Sequence, residues 1–514
     1  MKQLHSPGIP EWPSLPPEIR TAILDTIVDL RLPRWSALAS VSKEWQSVIG
    51  ARNMAKLKLR KESCFEGFKT VVEQRHLVKH IYLSIELPSY PYHRIGSDPP
   101  RHQDYDHIIG EGIDRVASIL STWKTEGPLT LDLNATSPSD TQYWAKNFRF
   151  DDDHDADAPI PETGWHDPTH GWQKGVQTDP PNFSELQQLF MPVILGDHQH
   201  PARDPPPITA VTCLMIRRQF RRYFVPGSLD PLLGRLHRLS DLIYEPWSFL
   251  YTHVHPDYLV DYSYYKPGTK ETIIYARVVG APLPITLKRL IVFRDDNDFL
   301  QAANFQQDSE VQKYRQERQR LRDEGHRLVD VTAKNSHSLA QISLRLEELS
   351  ASFVVDAKDF FKFCAKDWTW SHLHSLALTS RFLDVEKVSQ TGSNALLLTM
   401  STLVLRMPLL RTFVLWHGRK DSAGAFIYTR SEKYAHMVWR GNRHLDFSPE
   451  VLEAWSNVAK FHSSELRVRH EGIIEKIRCH GDAIYYLDLP CQVIEPTSLW
   501  QIRMEGPASR GVRP

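Results

Sequence analysis

Apolar positions along this chain fall into a unit that returns many times. A stretch with apolar residues three and four apart is followed by a short turn and then by a strand spelled Leu-x-x-Leu-x-Leu or close to it. The clearest strands lie within Trp370 to Leu378 (WSHLHSLAL) and Met407 to Trp416 (MPLLRTFVLW). The second follows an amphipathic helix over Asn394 to Arg406, and Pro408 breaks helix from strand. Earlier in the chain, Met54 to Leu59 reads as a short strand and Cys64 to Gln74 as a helix with Phe65, Phe68 and Val72 on one side. Leu77 to Leu87 is a strand with Ile81, Leu83, Ile85 and Leu87 on one face. Ile108 to Trp123 is a helix, and Pro128 to Leu133 is its strand. Ile208 to Ile216 is another strand, Asp230 to Leu236 a short helix and Leu239 to Tyr244 a strand. Leu283 to Phe293 and Leu339 to Leu349 hold further copies.

A helix then a strand, repeated, predicts a parallel sheet with helices on one side, an α/β fold. Where each strand opens a new unit, the expected form is a solenoid of the leucine-rich-repeat kind. The spacing here is irregular and longer than the usual repeat of about 20–29 residues, so insertions interrupt the turns. A doubly wound α/β domain is the alternative, and it is disfavoured because no Gly-rich loop follows any strand. The repeat region spans 53–431, with insertions near 151–181, 198–207 and 308–328. Residues 432–506 differ in texture. Ser448 caps a helix through Phe461, with Pro449 at its first position and Glu450 in its first turn. Leu466 to Val468 reads as a strand, Ile473 to Ile477 as a helix and Ala483 to Leu489 as another strand. The expectation is an α/β cap that closes the last apolar face of the solenoid. Residues 1–13 are a disordered lead-in and 507–514 a tail.

The N-terminal stretch 14–52 is expected to be a separate unit of three short helices. Pro17 suits the first turn of a helix, Glu18 faces the positive end of its dipole, and Ile19, Ile23 and Ile27 form one apolar stripe with Leu24 and Leu30 beside them. Pro33 stops that helix, and Leu38, Val41 and Trp45 mark a second at helical spacing. A segment of roughly 40 residues closes no sufficient core alone. Either it is a helical cap on the larger domain, or it presents apolar surface that a partner covers.

Leu15-Pro16-Pro17-Glu18-Ile19, Ile23-Leu24, Leu38 and Val41-Ser42-Lys43-Glu44-Trp45 resemble an F-box in order, spacing and N-terminal position. The chain departs from the family's pattern at Pro17, beside Pro16, and at Arg34-Trp35-Ser36 between the helices. A short second helix there would weaken docking. Val78 to Leu87, Tyr244-Glu245-Pro246-Trp247, Leu287 to Phe293 and Pro496 to Arg503 are similar to segments of F-box proteins of the filamentous-fungal type. The resemblance implies docking onto the Skp-type adaptor of an SCF (Skp–cullin–F-box) ubiquitin ligase through Leu15, Pro16, Ile19, Ile23, Leu38, Val41 and Trp45. It also implies a protein substrate held on the repeat domain for ubiquitin transfer by the cullin–RING machinery. Catalysis would then be positional, through effective concentration.

Composition narrows the alternatives. The chain has 514 residues, 41% hydrophobic, with 62 Lys+Arg against 62 Asp+Glu, so no net charge points to nucleic acid or a membrane surface. The 35 prolines outnumber the 24 glycines, as stiff loops between short elements require. Cys64, Cys213, Cys364, Cys479 and Cys491 are odd in number with no Cys-x-x-Cys spacing, which predicts a reducing compartment without disulfides or zinc. The proline-broken N-terminus is no signal peptide, and the most apolar run, Ala395 to Leu405, is too short to span a bilayer. The expectation is an intracellular protein of cytoplasm or nucleus, or both. Asn134-Ala135-Thr136 and Asn182-Phe183-Ser184 fit a glycosylation sequon but carry meaning only with secretion.

Candidate chemistry is sparse. His154, His166 and His170 lie among Asp151, Asp152, Asp153, Asp155 and Asp167, a ligand-rich stretch without the packing pattern of a rigid metal site. Arg217-Arg218-Gln219-Phe220-Arg221-Arg222-Tyr223-Phe224 mixes arginines with aromatics. Its aromatics are expected under the repeat and its arginines facing out, where they suit an acidic or phosphorylated peptide better than nucleic acid. Asp308 to Leu328 is a charged helix too poor in apolar residues for a coiled coil. Trp165, Trp172, Trp247, Trp368, Trp370, Trp416 and Trp439 are core residues or partner anchors. No phosphate loop, nucleophile elbow or His-Glu-x-x-His helix occurs. The sequence therefore points to a non-catalytic adaptor with no cofactor. The alternatives left open are a non-ligase interaction scaffold with an F-box-like cap and a metal-dependent hydrolase built on the His-rich loop.

Overall fold

The leading apolar residue of each Leu-x-x-Leu-x-Leu spelling plugs the turn that feeds a strand. Val78, Val211, Leu239, Leu287, Leu346, Leu373 and Leu410 are all buried. The next two apolar positions of each spelling then point to the same side of the sheet, as period-two alternation requires. Main-chain bonds link successive turns in the same register: Lys288 N donates to Ser240 O, Glu347 N to Lys288 O, His374 N to Glu347 O and Arg411 N to His374 O.

The computed structural model describes residues 12–30, 35–60, 62–70, 75–90, 103–124, 127–140, 172–173, 176–177, 189–190, 192–193, 195, 205–224, 228–247, 283–295, 331–384 and 388–505. Its centre is an open 12-stranded sheet whose strands lie side by side in chain order. They are β1 (Lys56–Leu59), β2 (His80–Glu86), β3 (Thr130–Thr136), β4 (Cys213–Ile216), β5 (Asp241–Tyr244) and β6 (Arg289–Phe293). After them come β7 (Glu348–Asp356), β8 (Ser375–Thr379), β9 (Thr412–Arg419), β10 (Ser422–Arg430), β11 (Tyr434–Gly441) and β12 (Glu465–Gly472). Every strand runs parallel to its neighbours except β10, which is antiparallel to β9 and β11. Among the described residues the strand order never reverses, so the crevice of a doubly wound domain does not form there.

The helices are α1 (Pro17–Asp29), α2 (Lys43–Ala55), α3 (Glu62–Thr70), α4 (Gln103–Ser121), α5 (Asp230–Arg235) and α6 (Val331–Ser343). They continue with α7 (Ala357–Lys362), α8 (Gln390–Val404), α9 (Pro449–Phe461), α10 (His480–Leu487) and α11 (Pro496–Glu505). One continuous core joins α3 to α9 to the same face of the sheet, through residues such as Phe68, Ile109, Leu233, Leu339, Phe360, Leu397 and Trp455. A second, smaller core lies on the opposite face. There Ala377, Val414, Trp416, Ala425 and Ile427 of the sheet meet Ala483, Ile484 and Leu487 of α10 and Leu499 and Ile502 of α11.

The C-terminal part therefore does two things. β11, α9 and β12 prolong the sheet, while residues 473–505 turn back over its second face instead of closing the end of the stack. Ile473 to Ile477, expected as a helix, has no helical turn. Of Ala483 to Leu489, expected as a strand, Ala483 to Leu487 belongs to α10 and Asp488 ends it. That apolar run is too short for its period to separate strand from helix, and the sheet below it selects Ala483, Ile484 and Leu487 as one helical side. The β9–β10 hairpin turns on Lys420 and Asp421, with Asp421 in the left-handed region at φ 64°. Ser448 caps α9 as expected, its hydroxyl accepting from Val451 N at 3.4 Å.

The charged helix expected over 308–328 lies outside the described residues. So does the His/Asp-rich stretch 151–181, apart from an antiparallel pair of two-residue strands, Trp172–Gln173 and Val176–Gln177. Among the described residues no helix is long and apolar enough to cross a membrane.

Candidate functional site

The N-terminal unit is held together by a few specific contacts. Pro17 sits at the first position of α1, and the carbonyl of Pro16 accepts from Ile19 N at 3.0 Å and Arg20 N at 3.1 Å. Ser42 caps α2, accepting from Trp45 N at 3.3 Å. Between the helices lies the short 3-10 segment Trp35–Ser40, which holds Leu38, while Trp45 lies in the first turn of α2, so the positions expected on one second helix are split between the two. The Glu44 carboxylate accepts from Arg20 Nε at 2.8 Å and Trp12 Nε1 at 3.0 Å, which ties the two helices together. The Arg20 bond, then the Trp12 bond, hold its pKa below the ordinary Glu range. Trp12 and Trp45 pack against each other, rings tilted by 49° and centroids 5.3 Å apart.

This frame divides the apolar stripe. Leu24, Val28 and Ile49 are buried. On the outer side, Ile19 is 48% exposed, Ile23 37%, Leu30 61% and Val41 59%. Of the other residues expected to dock a partner, Pro16 is exposed and Leu15, Leu38 and Trp45 are half-buried. At 13 residues, α2 is not short. It runs directly into β1, so the unit is fastened to the first edge of the sheet.

The arginine run departs from expectation. Arg217, Arg218, Arg221 and Arg222 are each 4% exposed or less, not facing out. The run leaves the C-terminal end of β4, and carboxylates from neighbouring strand ends meet it there. Arg217 Nη2 donates to Asp132 Oδ2 at 2.6 Å, and that same oxygen lies 3.2 Å from His80 Nε2. Arg218 Nε donates to Asp295 Oδ2 at 2.6 Å, and the guanidinium covers the Trp247 ring at 4.4 Å. Arg222 makes a two-pronged pair with Asp140, whose carboxylate also accepts from Tyr90 Oη at 3.0 Å. Burial, then the Asp140 charge, push the Tyr90 phenol well above its usual range. An acidic peptide or a phosphate backbone therefore has no exposed arginine here to grip.

The second-face segment is bolted into this layer. Glu245, at the end of β5, accepts from Glu495 N at 2.7 Å, Arg218 N at 3.1 Å and Ser498 Oγ at 2.5 Å. Arg217 Nη1 reaches Glu495 Oε2 at 3.6 Å. Asp295, at the end of β6, also meets His480 Nε2 at 3.0 Å. Gln219 Nε2 donates to Gln501 Oε1 at 2.9 Å, and Arg289 Nη2 to Gln492 Oε1 at 2.5 Å. Burial alone would raise the Asp295 carboxyl, but the Arg218 charge and the His480 hydrogen bond outweigh it and hold it below the ordinary Asp range. Glu245 falls within the Tyr244–Trp247 segment of the resemblance, but no pattern in the sequence gave it, Asp295 or His480 a role. Their common place at strand ends and helix starts is the only shared signal.

The tryptophans considered as partner anchors are mostly internal: Trp247, Trp370, Trp416 and Trp439 are buried and Trp368 is half-buried. Asn134 of the first sequon is also buried, donating to Tyr82 Oη at 2.7 Å. All five cysteines are free thiols. Among the described residues no group of three or more His, Cys, Asp or Glu side chains is placed to hold a metal ion. His154, His166 and His170 lie outside the described residues.

Residues 282–495 match a family of unknown function, DUF6546. The similarity takes in the sheet from β6 to β12 and α10, and ends at Glu495, the residue that joins α11 to Glu245. No curated protein and no solved structure matches the chain.

Proposed function

We propose that this chain is a substrate-recognition adaptor of an SCF E3 ubiquitin ligase. It docks on a Skp-type adaptor through its N-terminal helices, and through that on the cullin–RING machinery. In this reading residues 14–52 are an F-box, and the sequential parallel sheet with its one-sided helices is an irregular leucine-rich-repeat-like β/α solenoid. No residue of the chain need touch the reacting bond, and its place is the cytoplasm, the nucleus or both.

One observation carries the reading. Ile19, Ile23, Leu30 and Val41 stand at the surface of a unit in which Leu24, Val28 and Ile49 are buried and Leu15, Leu38 and Trp45 half-buried. A merely structural cap would turn that side inward, since each apolar side chain fully buried is worth ~1.5–3 kcal/mol. The F-box resemblance of the same residues supplies the occupant.

The test is co-purification of Ile19→Asp with Ile23→Asp against the unchanged chain. Both side chains are exposed, so folding should survive, checked by circular dichroism. Loss of the Skp-type adaptor and cullin from the pull-down is expected. Retention of both by the double variant would refute the proposal.

A further inference from the structure

Glu245 and Glu495 stand together where α11 begins. Glu245 is 1% exposed, and its carboxylate occupies the first turn of that helix. One oxygen takes the Glu495 main-chain N–H; the other takes the Ser498 hydroxyl and the Arg218 main-chain N–H. Glu495 turns its own carboxylate onto the same turn, accepting from Ser498 N at 3.2 Å. A negative group at a helix start is favourable. Two such groups in one buried corner repel each other. The charged and titratable neighbours are Arg217 and Arg218 from the loop after β4, Asp295 from the end of β6 and His480 from α10. Arg217 is shared with Asp132, and Arg218 directs its side chain to Asp295. Ser498 Oγ can serve either ionisation state, donating to a carboxylate or accepting from a carboxylic acid.

We propose that Glu245 and Glu495 form a proton-governed latch on α11: one proton held at the pair fastens the helix to the sheet, and full ionisation lets it open as a local unit. The opening unit is α11 alone. Its release uncovers Leu499, Trp500 and Ile502, whereas release of α10 as well would expose the whole second core. Burial, then the Glu495 charge, push Glu245 up to about 7, against the pull of its three donors. Because the closed-state pKa lies above the open-state one, the closed form binds the proton more tightly. The latch is therefore strongest on the acid side and weakens as pH rises toward 7, levelling off above it. The device does not depend on the adaptor reading.

Hydrogen exchange of the full chain, corrected for the intrinsic rate, tests this in peptides covering 496–505 between pH 6 and pH 8. The opening equilibrium should rise about tenfold across that interval in the unchanged chain. Glu245→Gln should flatten the profile, and His480→Gln should leave the rise in place. A flat profile in the unchanged chain overturns the latch, as does a full rise in Glu245→Gln or its loss in His480→Gln. Protection in β8 and β9 reports whether Glu245→Gln is folded. Should it fail to fold, Glu495→Gln decides: the rise must shrink and move to lower pH, and an unaltered profile overturns the proposal.

Discussion

Arg218 shows how much one side chain can join. Its guanidinium pairs with Asp295, 77 residues further on, and covers Trp247. Its main-chain N–H goes to Glu245, and its carbonyl accepts from Trp247 Nε1 at 2.6 Å. Asp295 is fully buried, so removing the cation leaves a charge with no solvent to turn to. Arg218→Ala should cost ~3–5 kcal/mol in urea unfolding, far more than a surface arginine. The same pair sets an acid limit. The Asp295 pKa is held below its unfolded value, so its stabilising share is complete above that unfolded value, near 3.8, and is lost as pH falls through the folded one. Unfolding midpoints followed downward from pH 5 should drop in the unchanged chain, and less steeply in Asp295→Asn. In the sequence these arginines read as outward-facing because charged side chains usually are. Their partners lie 77 to 85 residues away, and no local pattern announces that.

At the scale of elements, local rules carried further. The repeated apolar spelling located β2, β3, β5, β6, β8 and β9, and the Ser448-Pro449-Glu450 signal placed the start of α9. Ser448→Ala should lower stability by about 1 kcal/mol, read from thermal unfolding, because it frees the Val451 N–H at a helix start. α10 was less legible, and what fixes it is contact. A Cβ on Gly481 would sit 2.7 Å from Ile502 Cγ2 and 3.0 Å from Arg503 N, and one on Gly418 would meet Ala483 Cβ at 2.9 Å. Helix, helix and strand thus approach as closely as glycine permits. Gly481→Val forces α10 from α11 and should cost about 1–3 kcal/mol by overpacking. Near-ultraviolet circular dichroism should then change around Tyr485 and Trp500.

For the whole molecule, the decisive feature is that between β6 and β11 the sheet carries a core on each face, both built from one chain. Successive strands are chain neighbours, so the first core can form from local pieces, while the second waits for residues 473–505 to return. A chain ending at Gly472 should therefore keep its sheet but expose Phe293, Val414, Trp416 and Ile427. Strong binding of an apolar dye and self-association at micromolar concentration are the expected results, and a dye-silent monomer would contradict the account. The N-terminal unit answers the same reasoning in reverse. Its exposed isoleucines are not reached by the returning segment, which belongs to the other end of the sheet.

The amino-acid order alone determined the helix-then-strand rhythm and the parallel sheet, because period, capping and turn chemistry act over a few residues. Tertiary structure alone decided that the arginines go inside, that Ala483 to Leu487 is helical and that the far face of the sheet is filled from within. Each of those outcomes depends on which distant charge or surface is within reach, and reach is a property of the folded chain.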